Sequence, residues 1–190
     1  MKEKELAALA VIARALNEAD VTWSVGASLL LWRRGLVEDF HDIDLLVDEQ
    51  DIASARAALD RVGILTNEQR SAPFTTEYFY EYTVRDTEVD VMARFGVAVD
   101  GRRFDFAFDA RHIACFEDIG GARVPFGRLE DWYILYQLIP GREIKVRLIE
   151  DALTRPGALD RAALLCAVGD PLPDPIRLRA QALLTRTAVR

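Results

Sequence analysis

An α/β (α+β) fold, a mixed β-sheet flanked by helices and followed by a C-terminal helical tail, is what the 190-residue sequence predicts. Three observations lead to it. Short runs of strand character recur at 21–25, 42–47 and across 78–108. Segments of helical period precede and separate the first of them, at 3–18, 29–34 and 52–62. Beyond Leu129 the period is helical throughout. Apolar residues two apart share one face of a strand, and those three or four apart share one face of a helix, so the two periods tell the elements apart.

In chain order, residues 3–18 form an amphipathic helix with Leu6, Leu9, Ala13 and Leu16 on one stripe. Val21–Val25 alternates as a strand, and Gly26-Ala27-Ser28 breaks it. Leu29–Arg34 is helical until Gly35. After the strand at 42–47, Asp48 or Asp51 caps a helix whose core face is Ile52, Ala55, Leu59 and Val62. Tyr78, Tyr80, Tyr82 and Val84 alternate, as do Val89 and Val91 against Glu88, Asp90 and Met92, and again Phe104, Phe106 and Phe108. Gly120-Gly121 marks a tight turn before a strand at Ala122–Phe126. Trp132, Leu135, Tyr136 and Ile139 line one helix, which Pro140-Gly141 ends. Ile144, Leu148, Ile149 and Ala152 line the next, and a helix at 159–168 follows. A proline-punctuated turn at 170–175 leads to a last helix bearing Arg177, Arg179 and Arg186. The organisation is one α/β domain at 1–127 and a helical extension at 128–190 packed on it. Trp23, Trp32 and Trp132 are assigned to the core.

Composition narrows the function. No apolar run approaches the roughly 20 residues that span a bilayer. The acidic N-terminal stretch Met-Lys-Glu-Lys-Glu-Leu lacks a signal core, which points to a cytoplasmic protein. Cys115 and Cys166 stand far apart in apolar surroundings and read as reduced, buried residues. A net charge of −7 disfavours a long nucleic-acid partner, which calls for a basic footprint.

The chemistry resides in three carboxylates. Asp42 and Asp44 lie in His-Asp-Ile-Asp-Leu-Leu-Val (41–47), and Asp90 lies in Glu-Val-Asp-Val-Met (88–92). On a strand Asp42 and Asp44 project together, while Ile43, Leu45 and Val47 fill the other face. Two acids on one side of a core strand are costly without a neutralising cation. Hard oxygen ligands point to Mg²⁺. His41 turns to the opposite face and is set aside as a ligand. Asp86, Glu88 and Asp105 are alternatives to Asp90. Gly26-Ala27-Ser28 follows a strand and opens a helix, where backbone N–H groups and the Ser28 hydroxyl can face a phosphate. Ser28 as a plain helix cap is the competing reading. The Tyr78/Tyr80/Tyr82 ladder reads as cross-strand packing before base stacking.

Strand, Gly-x-Ser, helix, Asp-x-Asp strand and a later strand Asp together resemble the DNA polymerase beta-like nucleotidyltransferase superfamily. They resemble most the small stand-alone bacterial proteins of that fold, over roughly residues 20–95. The resemblance implies a nucleotidyltransferase-like sheet and a two-metal Mg²⁺ site held by Asp42, Asp44 and Asp90. It implies an NTP as substrate, with Gly26 and Ser28 on its phosphates, and a hydroxyl-bearing acceptor. Asp90 would also help deprotonate that hydroxyl. Of the cations available to a triphosphate (Arg33, Arg34, Arg102, Arg103, Arg142, Lys145), Arg142 stands where family members often keep a basic residue. The chain departs from the family in three places. Ala27 stands between Gly26 and Ser28, the loop before the acids reads Leu36-Val-Glu-Asp-Phe-His41, and the stretch Asp131–Gln137 holds no Lys. Two other readings stay open. One is a catalytically degenerate nucleotide-binding or interaction protein; the other is a toxin-type enzyme acting on tRNA or protein.

Overall fold

The computed structural model describes residues 2–168 and 172–187. The chain divides into two compact units, Met1–Gly127 and Arg128–Arg190. The first contains α1 (Glu3–Glu18), β1 (Trp23–Val25), α2 (Ala27–Arg33), β2 (Ile43–Val47), α3 (Ile52–Leu59), β3 (Ile64–Asn67) and β4 (Tyr78–Val84). It continues with β5 (Thr87–Ala93), β6 (Phe95–Val99), β7 (Arg102–Phe106), β8 (Ile113–Ile119) and β9 (Ala122–Gly127). Seven strands form a mixed sheet in the order β3-β4-β5-β2-β1-β9-β8, and β6 with β7 forms a separate two-stranded ribbon.

The sheet is mixed because β2 runs antiparallel to β1 but parallel to β5, and β1 runs parallel to β9. Its centre is apolar on one face. Ile43, Leu45 and Val47 of β2 and Val89 and Val91 of β5 are all fully buried, each removing about 1.5–3 kcal/mol of apolar surface from water. Trp23 is 1% exposed and its indole N–H donates to Asn17 Oδ1 at 3.1 Å, tying β1 to the end of α1. Helix α1 buries Leu9, Ile12 and Leu16 and packs on β9 and α3.

Tight turns hold the antiparallel pairs in register. Gly120 and Gly121 both have positive φ (57° and 72°) and join β8 to β9 in the two-residue loop that the sequence predicts. The primed turn matches the strands' right-handed twist and needs a left-handed conformation at both positions. Arg85 and Asp86 do the same between β4 and β5 without glycine, at φ 50° and 56°.

Several expectations are corrected. Strand β2 begins at Ile43, so Asp42 precedes it, because pairing with β5 starts at Ile43↔Val89. Strands β3, β6 and β8 were not predicted, and Phe108 lies beyond β7, which ends at Phe106. Trp32 is only half-buried, its ring tilted on Phe40 at 5.1 Å. Leu6 is likewise half-buried, at the N-terminal end of its stripe. Asp48 caps a single 3-10 turn by accepting from the Gln50 N–H, whereas the Asp51 carboxylate accepts the Thr22 N–H at 2.8 Å. Neither cysteine is buried. Cys115 is half-exposed on β8 at the end of the sheet, and Cys166 is exposed.

The second unit consists of α4 (Leu129–Leu138), α5 (Glu143–Leu153), α6 (Arg161–Val168) and α7 (Asp174–Thr187). Asp170 and Pro171 of the proline-punctuated turn lie outside the described residues. Helix α4 is the hub, packing on α5, α6 and α7, which explains why nearly all of it is buried, Glu130 and Asp131 included. Glu130 accepts the Asp160 N–H at 2.8 Å, and burial raises its pKa. Cys166 points outward because α6 buries Ala163, Leu164 and Ala167. Ile144 is 67% exposed: the core face of α5 is Val146, Ile149, Ala152 and Leu153, beginning two positions after the predicted stripe.

Glu150 joins three elements of this unit. Its carboxylate accepts from the Tyr133 hydroxyl at 3.0 Å, from Arg179 Nε at 2.7 Å and from Arg186. Burial pushes its pKa up, but these three donors outweigh burial and hold it below its ordinary 4.5. A carboxylate depressed on folding contributes stability above its unfolded pKa and loses it as pH falls through the folded value. The helical unit is therefore expected to weaken below about pH 4.5. At neutral pH Glu150→Gln should cost about 1–2 kcal/mol, because both arginines are partly solvated. Melting temperatures of wild type and Glu150→Gln should converge on acidification. A gap that stays constant with pH would remove the charge from this account.

Candidate active site

Strand register assembles the acids. Asp44 of β2 stands opposite Asp90 of β5 in the parallel ladder, so both project from the same face of neighbouring strands. Asp42, two residues before Asp44, joins them on that face. Each of the three offers a carboxylate oxygen, and these oxygens lie within 4.8 Å of one another. All three residues are partly buried. Among the described residues this is the one group of acids, histidines or cysteines close enough to share a metal ion.

The alternatives for the third acid fall elsewhere. Asp86 occupies the β4–β5 turn, and Glu88 is exposed toward the start of β5. Asp105 is exposed in the separate ribbon, where it accepts from Arg103 at 2.6 Å. His41 is exposed. Glu81 of β4, which no local pattern marks out, pairs with Asp90 from the other side. It extends the row of carboxylates across three strands.

Crowding shows in the electrostatics. Burial, joined by the charges of Asp42, Glu81 and Glu88, pushes Asp90 up to about 6, although Arg70 pulls the other way. Burial wins here because a single partly solvated guanidinium returns less than the carboxylate loses in leaving water. A divalent cation among these oxygens would relieve the same cost, and the all-carboxylate donor set suits Mg²⁺.

The turn before α2 is built onto the acids. Gly26 N–H donates to the Asp44 carbonyl at 2.9 Å, and the Ser28 hydroxyl reaches Asp42 Oδ1 at 3.4 Å. Ser28 is therefore not the helix cap: Gly26 holds that position, with extended backbone and no side-chain bond. Ala27 adopts φ 43°, a left-handed conformation that costs an L-residue roughly 1–2 kcal/mol. The departure from the family pattern thus sits at the strained residue of the turn.

Arg142 lies in the other unit, exposed at the N-terminus of α5. Arg33 pairs with Glu117, Arg103 with Glu77 and Asp105, and Arg34 reaches Cys115 Sγ at 3.1 Å. On α7, Arg177 pairs with Asp174, while Arg179 and Arg186 converge on Glu150. The basic surface expected there is largely neutralised within its own unit. The Tyr ladder is packing: Tyr82 is fully buried and donates to Asp60 at 2.6 Å, and Arg56 stacks on Tyr80 at 4.8 Å.

A cation that does reach the acids is Arg70, which sequence reasoning missed. Its Nη2 donates to Asp90 Oδ2 at 2.6 Å. It lies in the polar loop 68–77 between β3 and β4, where no periodicity or motif distinguishes one arginine from another.

The mixed sheet with acids on adjacent central strands has the fold of nucleotidyltransferases of known structure. Solved structures of such proteins superpose on it. TM1012, a candidate nucleotidyltransferase from Thermotoga maritima, matches with a TM-score of 0.61 and 22% identity over 80% of this chain and 94% of its own. The antibiotic-resistance factor ANT(2'')-Ia matches over the full length of both chains, with a TM-score of 0.58 and 16% identity. An antigenic nucleotidyltransferase-like protein from Paracoccidioides brasiliensis matches at 0.51 and 13%, over 98% of this chain and 93% of its own. No protein-family profile and no curated protein sequence matches the chain.

Proposed function

We propose that the protein is a Mg²⁺-dependent nucleotidyltransferase that moves a nucleoside monophosphate from an NTP to a hydroxyl acceptor and releases pyrophosphate. The observation that carries this reading is the convergence of carboxylate oxygens of Asp42, Asp44 and Asp90 within 4.8 Å of one another, at and just before neighbouring strands of a nucleotidyltransferase fold. ANT(2'')-Ia, which shares that fold, has been crystallised with adenylyl-2''-tobramycin, a nucleotidylated hydroxyl compound. The reading extends the reaction class to this chain and leaves the acceptor open.

Asp42 and Asp44 would hold the metal ions together with Asp90. Bound there, Mg²⁺ supplies charge neutralisation for a triphosphate and favours the ionised form of an acceptor hydroxyl. The remaining work belongs to the chain. Asp90, which shares its face with Asp44, takes the proton of the attacking hydroxyl. The Ser28 hydroxyl, within reach of Asp42, donates to a phosphate oxygen, and Gly26 leaves the turn open for the phosphates to approach. Phosphoryl transfer needs positioning and charge neutralisation above all, so a rigid sheet carrying three acids is suitable apparatus.

A second reading, nucleotide binding without turnover, draws on the Arg70–Asp90 pair, which engages the acid assigned to the proton. Calorimetric titration of Mg–ATP and the other Mg–NTPs, with pyrophosphate release followed in parallel, separates the two. Binding with release on adding a hydroxyl acceptor supports transfer, and binding alone supports the second reading. No binding of any nucleotide by folded wild type would overturn both.

A further inference from the structure

The environment of Arg70 is more specific than a surface ion pair. Its guanidinium lies 4.7 Å from the Phe74 ring centroid and 4.3 Å from that of Phe79. Phe79 is 5% exposed and pairs in register with Met92. Arg70 Nη2 bonds Asp90, and its Nε is buried with no hydrogen-bond partner among the described residues. The loop behind it is anchored. Thr75 N–H donates to the Gly96 carbonyl and Ala98 N–H to the Pro73 carbonyl, both at 2.8 Å, and Gly96 N–H donates to Thr76 Oγ1 at 3.2 Å. A side chain at Gly96 would stand 2.6 Å from Thr75 Oγ1 and 3.0 Å from the Thr75 backbone, so this seam requires glycine.

Two properties of this arrangement point in one direction. A fixed seam and two aromatic faces aim a permanent cation at the third carboxylate of the cluster. The aim is imperfect, because a buried guanidinium N–H goes unpaired, and an unmade bond of that kind carries a desolvation cost. Arg70 is thus placed on Asp90 without being fully satisfied there. A guanidinium and a divalent ion repel one another, and the repulsion is steep at contact distance.

Building on the metal–nucleotide reading above, we infer that Arg70 is a resident counter-ion that competes with a divalent cation for Asp90. In the metal-free protein it neutralises the third acid and keeps the crowded cluster folded. The first ion is taken through Asp42 and Asp44, and Asp90 becomes available to a cation only when Arg70 leaves it. Arg70 is a positioning residue: it sets how many cations the cluster holds and with what affinity, and takes no part in bond making.

Mn²⁺ titration at fixed pH and ionic strength, with free Mn²⁺ followed by its EPR signal, tests this without any turnover. Arg70→Gln should bind Mn²⁺ about tenfold more tightly at the weaker site, and Arg70→Lys, which keeps the charge, should stay near wild type. Removing a positive charge anywhere nearby could raise affinity, so the same change is made in an Asp90→Asn background, where the gain should vanish. Unchanged or weaker binding by Arg70→Gln overturns the inference, as does a gain that persists without the Asp90 carboxylate. Asp44→Asn keeps the two failures apart. Full Mn²⁺ binding by that variant defeats the metal reading itself. Binding lost in Asp44→Asn but indifferent to Arg70 defeats only the competition.

Discussion

Asp44→Asn is expected to lower nucleotidyl transfer by at least about 10²–10³-fold, the effect of removing one electrostatic group from a preorganised site. Asp44 is the acid with a carboxylate on both sides. Asp42 shares its face two residues back, and Asp90 stands opposite it in the ladder. The substitution keeps the shape and removes the charge, so Mg–NTP binding should fall below calorimetric detection. Stability should move the other way. Taking one charge from three carboxylates within 4.8 Å relieves like-charge repulsion, and the metal-free variant should melt no lower than wild type. Loss of transfer with an intact or raised melting temperature is the signature of a metal-binding acid. A variant that unfolds early would make Asp44 a structural residue, and one that is folded and active would remove it from the site.

The largest stability effect is expected at Trp23. It is 1% exposed, central in the sheet through its pairing with Val47, and bonded through its indole to Asn17. Trp23→Ala removes a large buried side chain and leaves a cavity between β1 and its neighbours. It also strips Asn17 of its donor, for a total of about 3–5 kcal/mol. Urea unfolding followed by far-UV circular dichroism should show the midpoint of the first unit shifted to much lower denaturant. The signal must be backbone-based, because the mutation deletes a fluorophore. A cost below about 0.5 kcal/mol, the range of ordinary surface changes, would mean that the strand is not centred where the register places it. Since β1 leads directly into the Gly26 turn, partial loss of nucleotide binding should accompany the destabilisation.

Local patterning carried a large part of this protein. Alternation at 42–47 and 88–92 placed the acids on strand faces, because a strand side chain points one way or the other and the apolar partners Ile43, Leu45 and Val91 reveal which way is inward. The Gly120-Gly121 turn was legible for a similar reason: two successive left-handed positions are costly for most residues. Helices were legible wherever one face was apolar. Their exact stripes were less so, and Ile144 shows why. Near a helix end an apolar residue satisfies the period whether or not a neighbour covers it. The cysteines failed likewise, since apolar neighbours in sequence are not neighbours in space at a sheet edge or on an outer helix face.

What only the tertiary structure decided is pairing. Nothing in the two acidic runs states that β2 and β5 lie side by side, in parallel, with Asp44 opposite Asp90. That register follows from how the whole sheet closes over its core. Arg70 was illegible for the same reason in a stronger form. A loop arginine carries no periodic signal, and its position over Asp90 depends on a seam with β6, a strand the pattern did not disclose, and on two rings from separate segments. Residue type and spacing determined which atoms could do chemistry. Long-range packing, which no local pattern encodes, decided which of them meet.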